Sequence, residues 1–189
     1  MSAMILASGS PRRFEMLSRL TGDFMVEVPD IDETPVENEE PRELVQRLAR
    51  EKALAVYKKH AGKFPVLAAD TIVVLGGIIN KPIDEEEAYG MLSMLSGKKH
   101  EVMTGVSLIE ANTSVVHGFT EVTEVLFSEM SDREIRAYIK TGEPMDKAGA
   151  YGIQGDGGKF IKRIDGCFYN VMGFPLNGIY SLLVKCGII

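Results

Sequence analysis

The stretch VLAADTIVVL, residues 66–75, decides the fold prediction. It is apolar on both faces except at Asp70 and Thr71, a pattern typical of a strand buried on both sides within a sheet. Gly76-Gly77 and Ile78-Ile79 follow, and they predict a tight turn and a short returning strand. We therefore expect a central strand that carries a single carboxylate.

That carboxylate, Asp70, is costly to bury. Proteins retain such a group as half of an ion pair, as a metal ligand or as a base with a tuned pKa, and the residues alone leave the three open. Strict alternation along the strand sends Asp70 and Thr71 to opposite faces, so a site that uses both requires the strand to bend or end near them.

Upstream, residues 4–7 predict a short apolar strand, and the turn over residues 8–10 leads into a helix with Ser10 as its N-cap. Arg12 and Arg13 fall in the first turn of that helix, where each positive charge opposes the helix dipole at a cost of about 0.3–1 kcal/mol. Either a phosphate group supplies the missing counter-charge, or the arginines point into water or pair with Glu15 and the acidic loop beyond.

A second helix is predicted from Pro41 to His60, and Lys52 falls in the middle of its apolar stripe. A lysine there must reach water with its end or meet an anion, because a lone buried ammonium costs several kcal/mol. The stripe consists of Leu44, Val45, Leu48, Ala49, Ala55 and Val56.

The acidic loop before this helix contains Asp30, Asp32 and Glu33, whose oxygens are ligands that Mg²⁺ prefers, although a solvated loop has the same composition. The same segment, PDIDET, fits the D-x-D-x-T motif of haloacid-dehalogenase-type phosphatases, with Asp30 as the nucleophile. Pro29 interrupts the strand that would deliver that aspartate, which counts against the phosphatase interpretation.

The remaining pattern alternates helices with strands and has at least one hairpin, so we predict an α/β fold with a mixed sheet. Further strands are predicted over 102–109, 120–127 and 160–164, and helices over 84–95, 131–141 and 176–184. Asp84 is the expected cap of the first of these helices, and Ser131 with Glu134 forms a capping-box pattern at the start of the second. A glycine-rich stretch, DKAGAYGIQGDGGKF, occupies residues 146–160.

The amino-acid composition of the chain limits the partners that it can have. With 27 acidic against 21 basic residues, the net charge of −6 argues against a nucleic-acid polymer as partner. The two cysteines show no paired spacing, and no apolar run is long enough to span a membrane. We therefore expect a single cytoplasmic domain over residues 1–189, with no membrane partner.

Six motifs, in order and nearly end to end, resemble the Maf family of nucleoside triphosphate pyrophosphatases. They are SxSPRR, AADT, NKP, LSGKKHEVMTGV, EPMDKAGAYGIQG and YNVMGFP. The resemblance implies hydrolysis of a nucleotide between its α- and β-phosphates with a divalent cation, Mg²⁺ or Mn²⁺. It also implies a homodimer, a link to arrest of cell division, and a fold similar to the inosine triphosphate pyrophosphatases, an elongated two-lobed body around a mixed sheet with a deep cleft.

The resemblance also assigns roles by position. Asp70 matches the catalytic aspartate that accepts a proton from water, and Glu33 matches an acidic residue near the metal, so we expect both to bind the cation. The phosphate-binding positions are matched by Ser8, Arg12, Arg13, Lys52 and Lys81. The positions that mark the subgroup cleaving dTTP and UTP are matched by Arg12, Thr71 and Gln154.

The chemistry of these residues agrees with that assignment. Cleavage between the α- and β-phosphates builds negative charge on pyrophosphate, which cations stabilise while one carboxylate orients water. The amide of Gln154 can donate to one group of a pyrimidine edge and accept from the next. The alternative to an enzyme is a noncatalytic protein that regulates cell division. Such a protein would use the same residues only to bind the nucleotide.

Overall fold

The computed structural model describes residues 4–113 and 115–189, in which seven strands form one mixed sheet. The strands are β1 (Met4–Ala7), β2 (Phe24–Glu27), β3 (Val66–Val74), β4 (Ile78–Ile79), β5 (Lys99–Ile109), β6 (Val116–Phe127) and β7 (Ile161–Asp165). The helices are α1 (Pro11–Ser18), α2 (Pro41–Lys59), α3 (Glu85–Leu95), α4 (Asp132–Ile139), α5 (Phe168–Val171) and α6 (Leu176–Lys185). Three short 3₁₀ helices cover Glu143–Asp146, Ala148–Ala150 and Asp156–Phe160.

The sheet order is β2-β1-β3-β5-β6-β7, and β4 pairs with β3 beside this path. Strand β1 runs parallel to both neighbours, with Ile5 opposite Met25 on one side and Val66 on the other. The β3–β4 and β6–β7 pairs are antiparallel. The predicted α/β fold with a mixed sheet is therefore confirmed, and so is the hairpin at Gly76-Gly77.

Strands β5 and β6 begin earlier than their apolar patterns predicted, at Lys99 and Val116 instead of Val102 and Thr120. Apart from the buried His100, the extra residues are half-buried or exposed, and they show no continuous apolar pattern. Backbone pairing and contacts such as the ion pair between Lys99 and Glu124, 2.9 Å, hold them in the sheet.

The first of two compact units comprises residues 4–70, 104–121 and 173–189 of the described chain. Its core forms where α2 packs on the sheet, because the predicted stripe of α2 is buried as expected except at the half-buried Ala55. Gly105 permits this approach, since a Cβ there would lie 2.3 Å from the carbonyl oxygen of Val45. A cluster around α2 comprises Ile5, Ala7, Ala53, Val56, Val66, Ala68 and Ile109.

The second unit comprises residues 71–103 and 122–172. Its core packs α3 and α4 with the sheet and with the glycine-rich stretch. Tyr138 and Phe127 are among its largest fully buried side chains. The N-caps predicted for both helices are present, Asp84 for α3 and Ser131, within a capping box, for α4.

His100 lies in the core of the second unit. Its Nε2 and the Tyr151 hydroxyl are joined by a 2.8 Å hydrogen bond, and its ring packs edge-on against Phe127. The side chain is 3% exposed, and this burial lowers the pKa of His100 to about 4. The imidazole is therefore neutral in the folded protein at pH 7.

Acid should destabilise the protein through His100. An unfolded histidine has its ordinary pKa near 6.5, so between pH 6.5 and 4 the unfolded chain binds the proton that the folded chain excludes. The free energy of unfolding should fall by about 3 kcal/mol over that range from this residue alone. We expect His100→Gln to flatten the fall in urea titrations at pH 7 and pH 4.5, and Tyr151→Phe, which keeps the imidazole, to preserve it. An unchanged pH dependence in His100→Gln would contradict the prediction.

Candidate active site

The loop between β1 and α1 places the first group of predicted residues. Ser8 is buried, and its Oγ accepts a hydrogen bond from the backbone N–H of Ser10 at 3.1 Å. Ser10 is the N-cap of α1, as predicted, and its hydroxyl faces the N–H of Arg13. The buried hydroxyl of Ser8 therefore lies next to the N-terminus of α1.

The two arginines of α1 are both half-buried. The Nε of Arg13 donates to the carbonyl oxygen of Gly173 at 3.0 Å, which fixes the side chain. Burial lowers the pKa of Arg13, and the neighbouring Arg12 lowers it further, whereas Asp70 and Glu33 act in the opposite direction. Arg13 therefore lies within electrostatic reach of both carboxylates. Glu15, the alternative partner for these arginines, is paired with Arg19 at 2.6 Å.

Lys52, Asp70 and Glu33 meet in the first unit. The Lys52 ammonium lies 2.6 Å from Asp70 Oδ1 and 2.9 Å from Glu33 Oε1. Lys52 and Asp70 are each 7% exposed, whereas the Glu33 side chain is largely exposed. Of the two interpretations of Lys52, the anion partner is correct, because a buried lysine on the apolar face of α2 meets two carboxylates.

This cluster fits a divalent cation by its donor chemistry. Two carboxylate oxygens, from Asp70 and Glu33, already converge on one positive centre. Mg²⁺ binds through one or two carboxylates and completes its shell with waters and substrate phosphates. The exposed Glu33 leaves the cluster open to water. Asp70 and Glu33 could therefore bind such an ion while Asp70 also contacts the ammonium of Lys52.

Comparison with known protein families shows to which family the chain belongs. Residues 3–186 match the family described as Maf-like protein. The chain belongs to the Maf family. The resemblance predicted from the six motifs is therefore confirmed.

Two relatives of this Maf chain carry the name dTTP/UTP pyrophosphatase. The protein from Halalkalibacterium halodurans is 52% identical over 178 residues, which cover 94% of this chain and 92% of the relative. The protein from Acetivibrio thermocellus is 46% identical over 194 residues, which cover 100% of this chain and 97% of the relative. The likeness therefore extends over almost the whole length of both proteins.

Solved structures share the fold of the Maf chain at much lower identity. A HAM1 protein from Coxiella burnetii matches with a TM-score of 0.53 at 17% identity, over 98% of this chain and 100% of that one. The Ham1 protein from Staphylococcus aureus matches with a TM-score of 0.52 at 14% identity, over 97% and 99%. At this identity the likeness concerns the fold alone, and it agrees with the expected α/β fold. Among the described residues, no helix has the length and apolarity needed to cross a membrane.

Three predicted residues lie in the second unit of the Maf chain. Thr71 is half-buried on β3, Lys81 is exposed just after β4, and Gln154 is exposed within the glycine-rich stretch. A site that uses both Asp70 and Thr71 was expected to require that β3 bends or ends near them. The strand does not end there, because it continues to Val74. That Thr71, Lys81 and Gln154 act in one site with Asp70 stays a prediction.

Glu143 is a residue of the second unit that sequence reasoning did not single out. Its carboxylate accepts hydrogen bonds from the N–H of Asp156 at 2.8 Å, the N–H of Gly157 at 3.2 Å and the hydroxyl of Tyr138 at 2.8 Å. Burial raises the pKa of Glu143, but these hydrogen bonds outweigh it and hold the pKa below its ordinary value. A Cβ at Gly155 would lie 2.2 Å from this carboxylate. Glu143 therefore fixes the loop that carries Gln154.

Replacing Glu143 by glutamine should destabilise the protein. An amide presents one accepting oxygen, and its NH₂ group would face the loop N–H groups, so at least one donor would lose its partner. We expect the free energy of unfolding to fall by about 1–3 kcal/mol, measured by chemical denaturation. The matched control is Glu124→Gln, which breaks the exposed pair with Lys99 and should cost about 0–1 kcal/mol. Equal effects of the two substitutions would contradict the role of Glu143.

Proposed function

We propose that this Maf protein is a nucleoside triphosphate pyrophosphatase that hydrolyses dTTP and UTP to the monophosphate and pyrophosphate. The observation that carries the proposal is the buried contact of Asp70 with Lys52 on the central strand, beside Glu33 and within electrostatic reach of Arg13. A carboxylate and cations of this kind are what hydrolysis of a phosphoanhydride requires. The names of relatives up to 52% identical support the same substrates.

In this proposal Asp70 is the catalytic base. The water oxygen forms a bond to phosphorus at the α–β anhydride, the bridging bond breaks, and pyrophosphate leaves. Asp70 takes the proton of the water, and Lys52 holds the carboxylate in place through the 2.6 Å contact. The ammonium of Lys52 contacts Asp70 Oδ1, and in this proposal the second carboxylate oxygen faces the water.

The phosphates are bound by the remaining cations and by the first loop. Arg12, Arg13 and Lys81 balance the charge of the triphosphate, and Ser8 and the N-terminus of α1 donate hydrogen bonds to it. Asp70 and Glu33 hold Mg²⁺ or Mn²⁺. When bound, that ion neutralises phosphate charge and polarises the phosphoryl oxygens.

Base recognition belongs to Gln154 and Thr71 in this proposal, together with Arg12. The amide of Gln154 reads the carbonyl and N–H edge that uracil and thymine share, which explains why dTTP and UTP are both accepted. Glu143 supports this recognition because it fixes the loop around Gln154.

The proposal includes the organisation of the whole chain. Residues 1–189 form one Maf domain with two lobes and a deep cleft that binds the nucleotide, and the active protein is a homodimer in the cytoplasm. The free thiols of Cys167 and Cys186 agree with a reducing compartment. A role in arrest of cell division is tested by overproducing Asp70→Asn, since an effect through nucleotide hydrolysis disappears in that variant.

A panel of triphosphates tests the proposed function. The protein with Mg²⁺ or Mn²⁺ is incubated with dTTP, UTP, dCTP, dATP and GTP, and pyrophosphate and orthophosphate are measured separately. We expect pyrophosphate from dTTP and UTP, and we expect Gln154→Ala to reduce the preference for these two over the others. Release of orthophosphate, or tight binding of dTTP with no hydrolysis under either metal, would overturn the proposal.

A further inference from the structure

Glu110, His117 and Cys186 form a cluster of metal-ligating side chains in the first unit, apart from the residues to which we assign catalysis. The Nε2 of His117 lies 2.6 Å from Glu110 Oε1. One ligand atom from each residue lies within 4.8 Å of the other two. All three side chains are half-buried, so an ion could reach them from water.

The scaffold under this cluster is well fixed. Glu110 directly follows β5, and its N–H donates to the carbonyl oxygen of Val115 across the turn at 3.2 Å. The N–H of Asn112 donates to the carbonyl oxygen of Gly62 at 2.7 Å, which ties the same turn to the chain after α2. Cys186 caps the end of α6, where its N–H donates to the carbonyl oxygen of Leu182 at 3.1 Å. The three ligands therefore come from separate elements that the backbone holds in position.

We propose that Glu110, His117 and Cys186 bind a zinc ion. Zn²⁺ accepts thiolate, imidazole and carboxylate ligands in a tetrahedron, and three protein ligands leave the fourth position to water. Ligand atoms around such an ion are roughly 3.5 Å apart, given bond lengths of about 2.0–2.3 Å. The separations here, from 2.6 Å for His117 and Glu110 to at most 4.8 Å in the group, bracket that value.

The charges also match the ion. On binding, the Cys186 thiol releases its proton to solvent, so one thiolate and one carboxylate neutralise the two positive charges, and a neutral imidazole completes the set. Mg²⁺ prefers oxygen ligands and would not select a site with sulfur and nitrogen. The site is thus chemically distinct from the all-oxygen pair of Asp70 and Glu33.

The ion would join the turn between β5 and β6 to the end of α6. Because the ligands are brought together in the folded chain, zinc bound there should stabilise the folded over the unfolded state. The expected signature is therefore a rise in melting temperature on addition of zinc that depends on the thiol.

Cobalt alone and zinc alone are suitable probes, because Co²⁺ bound to a thiolate gives a charge-transfer absorption that an all-oxygen site does not. We expect the metal-free protein to bind about one Co²⁺ with this absorption, displaced by Zn²⁺, and to melt higher with Zn²⁺. Cys186→Ser should lose both signals, and His117→Gln should weaken binding by at least about tenfold.

The controls separate this site from other sources of the same signals. Cys167→Ser removes the other free cysteine and His60→Gln removes a histidine that also contacts a glutamate, Glu27, and both variants should keep the absorption. Asp70→Asn should keep it too, which makes the result independent of the proposed catalysis. The melting temperature of each metal-free variant shows whether that variant is folded. Absence of the thiolate absorption in the wild type, or its persistence in Cys186→Ser, would overturn the proposal.

Discussion

Asp70→Asn should lower the rate of dTTP hydrolysis by about 10²–10⁴-fold, the contribution of a positioned general base. Asparagine has nearly the same shape as aspartate but cannot take the proton of the attacking water. The substituted side chain remains on β3 next to Lys52, whose ammonium keeps Glu33 as a partner at 2.9 Å. We therefore expect the loss in kcat to occur in a folded protein, as measured by pyrophosphate release together with a melting curve.

Asp30→Asn is the matched control for this prediction. Asp30 is an exposed residue of the acidic loop and is the nucleophile that a haloacid-dehalogenase-type phosphatase would use. We expect this variant to keep the wild-type rate and no phosphate to become attached to the protein. Full activity in Asp70→Asn, or inactivity in Asp30→Asn with a trapped aspartyl-phosphate in the wild type, would remove Asp70 from its assigned role.

The strongest parts of the sequence prediction rest on local signals. The run from Val66 to Leu75 and the two glycines after it identify a central strand and its hairpin without long-range information. The caps Ser10, Asp84 and Ser131 begin helices because a short polar side chain there satisfies a free backbone N–H. These features follow from the pattern of the sequence, and they were predicted correctly.

Three features could not be predicted from local sequence patterns. The 3₁₀ helix over Asp156–Phe160 depends on Glu143, which lies 13 residues before the N–H of Asp156 that it binds. The cluster of Glu110, His117 and Cys186 has no motif spacing, because the turn after β5 and the end of α6 meet only in the fold. The helical stripe did place Lys52 on the buried face, but the identity of both its anionic partners needed the structure.

The pairing of Lys52 with Asp70 makes a second substitution severe. Lys52→Met preserves the apolar stem but leaves a 7%-exposed carboxylate without its ammonium. Removal of one partner of a buried ion pair costs about 3–5 kcal/mol, because the remaining charge stays desolvated. We expect a fall of that size in the free energy of unfolding at pH 7, measured by chemical denaturation, with loss of hydrolysis as well.

The control for Lys52→Met lies on the same helix. Lys59 pairs with Glu27 and its side chain is 67% exposed, so Lys59→Met should cost only about 0–1 kcal/mol. Equal costs for the two substitutions would mean that water screens the Lys52 pair as fully as an exposed one.

Combining Lys52→Met with Asp70→Asn separates the loss of the pair from the loss of packing. The double variant contains no uncompensated charge at this position, so it should be more stable than Lys52→Met alone. In a double-mutant cycle the two substitutions should cost less together than the sum of their separate costs, because the residues are in direct contact. Additive costs would show that the 2.6 Å contact contributes no coupling, and the destabilisation in Lys52→Met would then come from lost packing along α2. Because the double variant also lacks the proposed base, it should stay inactive even where its stability recovers, which distinguishes the role of the pair in folding from its role in hydrolysis.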